Sequence, residues 1–313
     1  MAITIPWLGK SKLKSGRVGL AIGPDGLAVA SVNAQGHVVH YQFVDQISDL
    51  AYTIADIVEQ QGWEQMPCSV VLHSAYYQLL LTERPPVELQ EMASAVRWKV
   101  KELLDYPIEG AAIEFFSLPD DAYRGRQKML YVAALPKDSL QSLIAPVEAS
   151  GLQVDCVEIS ELAVHNIASL YPRQGGGIAI VKLREGESFI NLIEDGSLYL
   201  TRRLDISLDK FDPNSDNTVF FDSLFLEIQR SLDFYESQLG KGIITRLFYC
   251  PGIPETASIG EFLSKQLGLD VAPLDASQFD FIDGDVESHL AHCTTAIGAA
   301  LGPLQQEAEN AAS

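Results

Sequence analysis

Several residue groupings in this chain could do chemistry. Lys182 and Arg184 alternate in Ile178-Ala-Ile-Val-Lys-Leu-Arg-Glu-Gly186 and could attract a phosphate. Glu227 and Arg230 lie one helical turn apart, a spacing that serves a ligand or a simple surface ion pair. Asp25 could orient a hydrated cation, but it sits in Pro24-Asp25-Gly26, which is first of all a turn sequence. His289, His292 and Cys293 would share a helical turn, yet no fourth ligand accompanies them. The acidic run through Asp275, Asp280, Asp283 and Asp285 lacks the spacing of a calcium loop. Gly175-Gly176-Gly177 lacks the strand that precedes a dinucleotide loop and reads as a linker. There is no Gly-x-Ser-x-Gly, His-Glu-x-x-His or Walker lysine motif. The expectation is therefore no catalytic set and no metal.

A second group could bind a protein. Tyr76, Tyr77, Leu79 and Leu81 lie on one segment, and Met92, Val96 and Trp98 on a helix-like stretch at 88–104. That is more aromatic and aliphatic surface than one small face needs, and such surfaces anchor interfaces.

Composition narrows the classes. The 313 residues carry 22 Lys+Arg against 42 Asp+Glu, a net charge of −20, which repels nucleic-acid backbones. With 47% hydrophobic residues the chain can bury a core, and no apolar run approaches the length of a membrane span. Four scattered cysteines suggest no disulfide framework. The apolar start precedes its charges, the reverse of a secretion signal. A cytoplasmic protein is expected. Residues 1–17 hold Lys10, Lys12, Lys14 and Arg17 and no acidic side chain. They form a basic leader that frays into solvent or touches an anionic membrane.

The elements that must position these residues repeat. Arg17–Phe43 and Ile178–Thr201 each read as three short strands, with glycine turns at Gly26 and Gly36 and again at Gly186 and Gly196. Each meander leads into helical sequence, at 46–61 and 217–239. A buried strand at 246–250 and a helix at 259–267 follow the second. This is the organisation of an actin-like (ribonuclease H-like) α/β fold with two lobes. Between them sits an α+β insertion with strands at 77–83, 112–118 and 128–134, a helix from Pro85-Pro86 to 104, and another at 137–150.

Within the insertion, Ala95-Val-Arg-Trp98, Leu103-Leu-Asp-Tyr-Pro-Ile-Glu109, Glu114-Phe-Phe-Ser-Leu118 and Tyr131-Val-Ala-Ala-Leu135 follow in order, and Glu227-Ile-Gln-Arg-Ser-Leu-Asp-Phe-Tyr-Glu-Ser237 comes later. On these residues the chain, over about 17–303, resembles the PilM family of type IV pilus assembly proteins, with its MSHA-pilus branch nearest. The resemblance implies a leader at 1–16, a first lobe at 17–76 and 154–174, and an inserted 1C subdomain at 77–153. It also implies a second lobe at 175–287, a C-terminal helix at 288–303 and a frayed tail at 304–313. It further implies a cytoplasmic scaffold, peripheral at the inner membrane, that binds the cytoplasmic tail of a PilN-like (MshJ-like) bitopic protein between the first lobe and 1C. The groove residues would be the seven of the protein-binding group above, and a pilus assembly ATPase would be a further partner. The cytoplasmic part of the type II secretion protein GspL is a related alternative.

Relatives with this fold bind ATP and magnesium through Asp-x-Gly loops. Here the first loop is Ala21-Ile22-Gly23-Pro24-Asp25-Gly26, with alanine for the aspartate and Ala28 for a lysine. The second has no aspartate, and the adenosine loop reads Cys250-Pro251-Gly252. A retained nucleotide would have to use Gly23, Asp25, Gly26, Lys182, Arg184, Glu227, Arg230 and Gly252. The expectation is no ATP hydrolysis and no obligatory cofactor, with an ATPase on substituted ligands as the alternative.

Overall fold

The computed structural model describes residues 16–123, 127–168, 170–171, 175–251, 254–274 and 290–312. The chain forms two units: Met1–Ser117 with Leu130–Ile167 and Asp280–Ser313, and Leu118–Met129 with Ala168–Phe279.

The first unit opens on the expected meander, β1 (Arg17–Gly23), β2 (Gly26–Val32) and β3 (Val38–Asp45), paired antiparallel in sequence order. Helix α1 (Leu50–Gln61) starts where the Asp49 carboxylate accepts the Tyr52 amide at 3.0 Å, and it ends at Gly62 in the left-handed conformation. It delivers the chain to β4 (Pro67–Leu72), parallel to β1. Then comes the insertion: β5 (Gln78–Glu83), α2 (Leu89–Val100), β6 (Ala111–Ser117), β7 (Met129–Pro136) and α3 (Lys137–Ala149). Strand β8 (Gln153–Ile159) returns parallel to β4, and α4 (Ser160–Ala168) follows. The main sheet has the order β3-β2-β1-β4-β8, and the insertion has its own sheet, β5-β7-β6.

In the second unit β9 (Gly177–Lys182), β10 (Phe189–Glu194) and β11 (Ser197–Arg203) form the second meander. Helix α5 (Thr218–Phe234), extended by a π turn to Leu239, leads to β12 (Ile244–Cys250), and α6 (Ala257–Leu267) leads to β13 (Asp270–Pro273). The order β11-β10-β9-β12-β13 repeats that of the first sheet. Parallel strands joined by helices explain why β4 escapes a periodicity reading, being a mostly apolar run without alternation, while in β8 the alternation of Val154 and Cys156 with polar neighbours breaks at Val157.

Three expectations need correcting. The last helix, α7 (Leu290–Ala312), packs in the first unit and continues through most of the segment expected to fray, because 304–312 is rich in Gln, Glu and Ala. Its close approach explains two glycines: a Cβ on Gly19 would overlap the Ala296 carbonyl, and one on Gly298 the Ala163 carbonyl of α4. The 77–153 subdomain is divided, since its 118–129 hairpin tip clusters with the second unit. There Tyr199 donates to Asp121 at 3.0 Å, and Lys241 pairs with Asp121 while lying 4.1 Å from the Tyr199 ring. Finally, α2 begins at Leu89 rather than at Pro85-Pro86. Residues 1–15 of the basic leader, His289 and the acidic run from Asp275 lie outside the described residues.

Candidate functional site

The candidate nucleotide residues divide between the units, and those described are occupied by their own neighbours. In the first unit Gly23, Pro24, Asp25 and Gly26 make the tight β1–β2 turn. The Asp25 carboxylate folds back over it, lying 2.7 Å from where a Cβ on Gly23 would be. Gly26 is required by packing, since a Cβ there would overlap the Val44 carbonyl. Buried His73, at the end of β4, accepts the Ala75 amide at 3.1 Å and stands edge-on to Tyr76. Burial, with Asp25 nearby, pushes the Tyr76 hydroxyl pKa up. Tyr76 thus belongs to this turn.

In the second unit Lys182 points into the interior, where it pairs with Glu187. Their side chains are only 6% and 1% exposed, and the ammonium lies 5.5 Å from the Phe189 ring. A buried carboxylate therefore holds the cation that a phosphate would need. The Arg184 amide is 3.3 Å from the Ser188 hydroxyl. Glu227 is bound by two guanidiniums, Arg202 and Arg230, the latter at 2.7 Å. That is the ion-pair reading rather than a metal ligand. Gly252 lies outside the described residues. Among the described residues no cluster of three or more His, Cys, Asp or Glu side chains could hold a metal. These residues do not fit a magnesium-bound triphosphate.

The protein-binding residues are rearranged more thoroughly. Met92 and Val96, 1% and 0% exposed, form the core between α2 and the small sheet, with Val100, Leu130 and Val132. They line no groove, because their spacing along α2 turns them inward. Trp98 is 73% exposed, with the Lys101 ammonium 5.1 Å from its ring. Leu81 is exposed and Leu79 half-buried, and neither lines the cavity.

That cavity, about 540 Å³, lies wholly within the first unit. One wall is Ala111, Ala112, Ile113 and Glu114 of β6, and the other is Val154 with Val157, Glu158 and Ile159 of β8. Consecutive residues line both walls, so it is the strand edges that face the space, since side chains alone would contribute every second residue. Both strands are the last of their sheets. Leu140 and Ile144 of α3 face the same cavity, which is why they stay half-buried on an amphipathic helix. Tyr77, from the expected set, also lines it. Its hydroxyl donates to the buried Glu161 carboxylate, which fixes that wall. Arg97 lines the groove and donates to the Ala111 carbonyl at 3.2 Å and to that of Ile108. Sequence reading missed β8 and the outer face of α3. The only available signal was the Leu140/Ile144 spacing, which any surface helix shows.

No protein-family model and no curated protein matches the chain. Solved structures do. The PilM–PilN type IV pilus biogenesis complex aligns with a TM-score of 0.72 at 18% identity, covering 93% of this chain and 98% of that one. A Bacteroides thetaiotaomicron protein with an actin-like ATPase fold and unknown function gives 0.51 at 11% identity, covering 85% and 94%. The cytoplasmic domain of EpsL, an inner-membrane component of the Vibrio cholerae type II secretion system, gives 0.50 at 12%, covering 95% of each. The chain has the actin-like ATPase fold. Among the described residues no helix is long and apolar enough to cross a membrane.

Proposed function

We propose that this chain is a PilM-like scaffold of a type IV pilus assembly platform that docks the cytoplasmic tail of a PilN-like membrane protein and hydrolyses no ATP. The observation that carries the reading is the groove bounded by the β6 and β8 edges, in a chain with the fold of the PilM–PilN complex. An extended tail placed there gains main-chain hydrogen bonds from an edge and buries alternate side chains against Leu140, Ile144 and Val157. The sequence resemblance narrows the system to the MSHA pilus, with an MshI-like role, an MshJ-like partner and a location on the cytoplasmic face of the inner membrane. The buried Lys182–Glu187 pair and the doubly bound Glu227 support a silent nucleotide region.

Calorimetric titration of a PilN- or MshJ-type tail peptide tests the reading. Saturable binding, weakened at least 10-fold by Ile144→Arg, is expected. The absence of binding to any tail of the platform's bitopic proteins overturns it. Binding to a type II secretion ATPase instead would favour the GspL-like role.

A further inference from the structure

The groove carries both signs of charge, and they are sorted to its two ends. Lys137, Leu140, Ile144 and Glu148 follow at helical spacing, so one face of α3 runs along the cavity from first turn to last. That face is about 16 Å long at 1.5 Å per residue. Where α3 begins, Pro136 pairs with Ala111, the first residue of β6. The cations gather at this end. Arg97 donates to the carbonyls of Ile108 and Ala111, and the Lys137 ammonium donates to that of Glu109 at 3.2 Å. Neutral carbonyls position these groups without cancelling their charge. The carboxylates lie away from them: Glu114 is about 10 Å further along β6, and Glu148 is in the last turn of α3. Among the described residues neither pairs with a cation, and partial burial pushes the Glu114 carboxyl pKa up.

Helix stability does not account for this order. A helix dipole favours carboxylates in the first turn and cations in the last. Lys137 and Glu148 stand the other way round, and Asp138, which suits the first turn, does not line the cavity. Direction follows from the connection. Residues 150–152 turn the chain from α3 into β8, so β8 runs back along the cavity toward the basic end. A strand added antiparallel to the β8 edge, the more stable pairing, starts at the basic end and finishes at the acidic one.

We propose that the groove selects an extended tail with acidic side chains N-terminal and basic side chains C-terminal to an apolar run of about five residues, the number that spans 16 Å, bound antiparallel to β8. This rests on the docking reading above and adds the order of charges its partner carries. Matched potentials of this kind fix register and direction.

Calorimetry on the full chain with two peptides of one composition, blocked at both ends, tests it. One reads Asp-Asp-Val-Thr-Ile-Thr-Val-Lys-Lys, and the other exchanges its Asp and Lys pairs. At low ionic strength the first should bind about 10-fold tighter or better, a preference that shrinks as salt is added. Lys137→Glu/Glu148→Lys, a swap of two exposed residues on α3, should reverse it. Equal affinities overturn the proposal and leave the docking reading standing, as does a preference that the swap leaves unchanged. If neither peptide binds, the proposal falls, and the docking reading falls with it only if the tails of the platform's bitopic proteins fail as well.

Discussion

The two main sheets share one strand order and differ in what interrupts it. In the second unit a short connection carrying α6 joins β12 to β13, and β13 is only four residues long. In the first unit the equivalent connection, from β4 to β8, carries the whole β5–α3 insertion, and β8 runs seven residues along a cavity. The meander turns differ as well: β1–β2 is a two-residue turn, whereas β9–β10 is long enough to fold Glu187 onto Lys182. A repeated scaffold has thus been given a groove on one side and an internally neutralised loop on the other. Architecture is shared, and specialisation lies in the connections.

The largest effect should come from breaking that loop. Lys182→Met leaves Glu187 buried without its cation and should cost about 3–5 kcal/mol in denaturant unfolding. The double variant Lys182→Met/Glu187→Leu should recover most of it, whereas a loop kept for phosphate gives no reason for recovery. In the first unit Gly19→Ala pushes α7 off β1 and should cost about 1–3 kcal/mol by the same measurement.

Glu158 sharpens the comparison through pH. Burial lifts its carboxyl to about 7, opposed by the Asn166 hydrogen bond and by Arg17. Its folded pKa lies above the unfolded value, so its contribution is full below pH 4.5 and is lost as pH rises toward 7. Glu158→Gln should therefore stabilise the chain at pH 8, by on the order of 2 kcal/mol, relative to its effect at pH 4.5. The smallest effect belongs to the hairpin tip: Asp121→Asn removes an exposed carboxylate from Lys241, which keeps Glu194 at 3.7 Å, and should cost about 0.2–1 kcal/mol.

Both meanders were legible from their glycine turns, because hairpin turns need local conformations that few residues tolerate. The helices on the apolar stripes of α1, α5 and α6 were legible for the same local reason. The groove was not. Met92 and Val96 have the chemistry of an interface, but their side-chain direction depends on the phase of α2 against a sheet whose strand order is nonlocal. The cavity walls are backbone edges, and no residue type marks an edge. Glu187, likewise, became a partner of Lys182 only once the turn between them closed.

A groove that works as proposed, without the nucleotide loops, should bind its tail whether or not ATP is present. Affinity for a PilN- or MshJ-type tail peptide, measured by calorimetry with and without millimolar ATP and magnesium, tests it directly. The account predicts one dissociation constant under both conditions. A tail that binds only with ATP, or whose affinity shifts 10-fold or more with it, would contradict the account and make the chain a nucleotide switch.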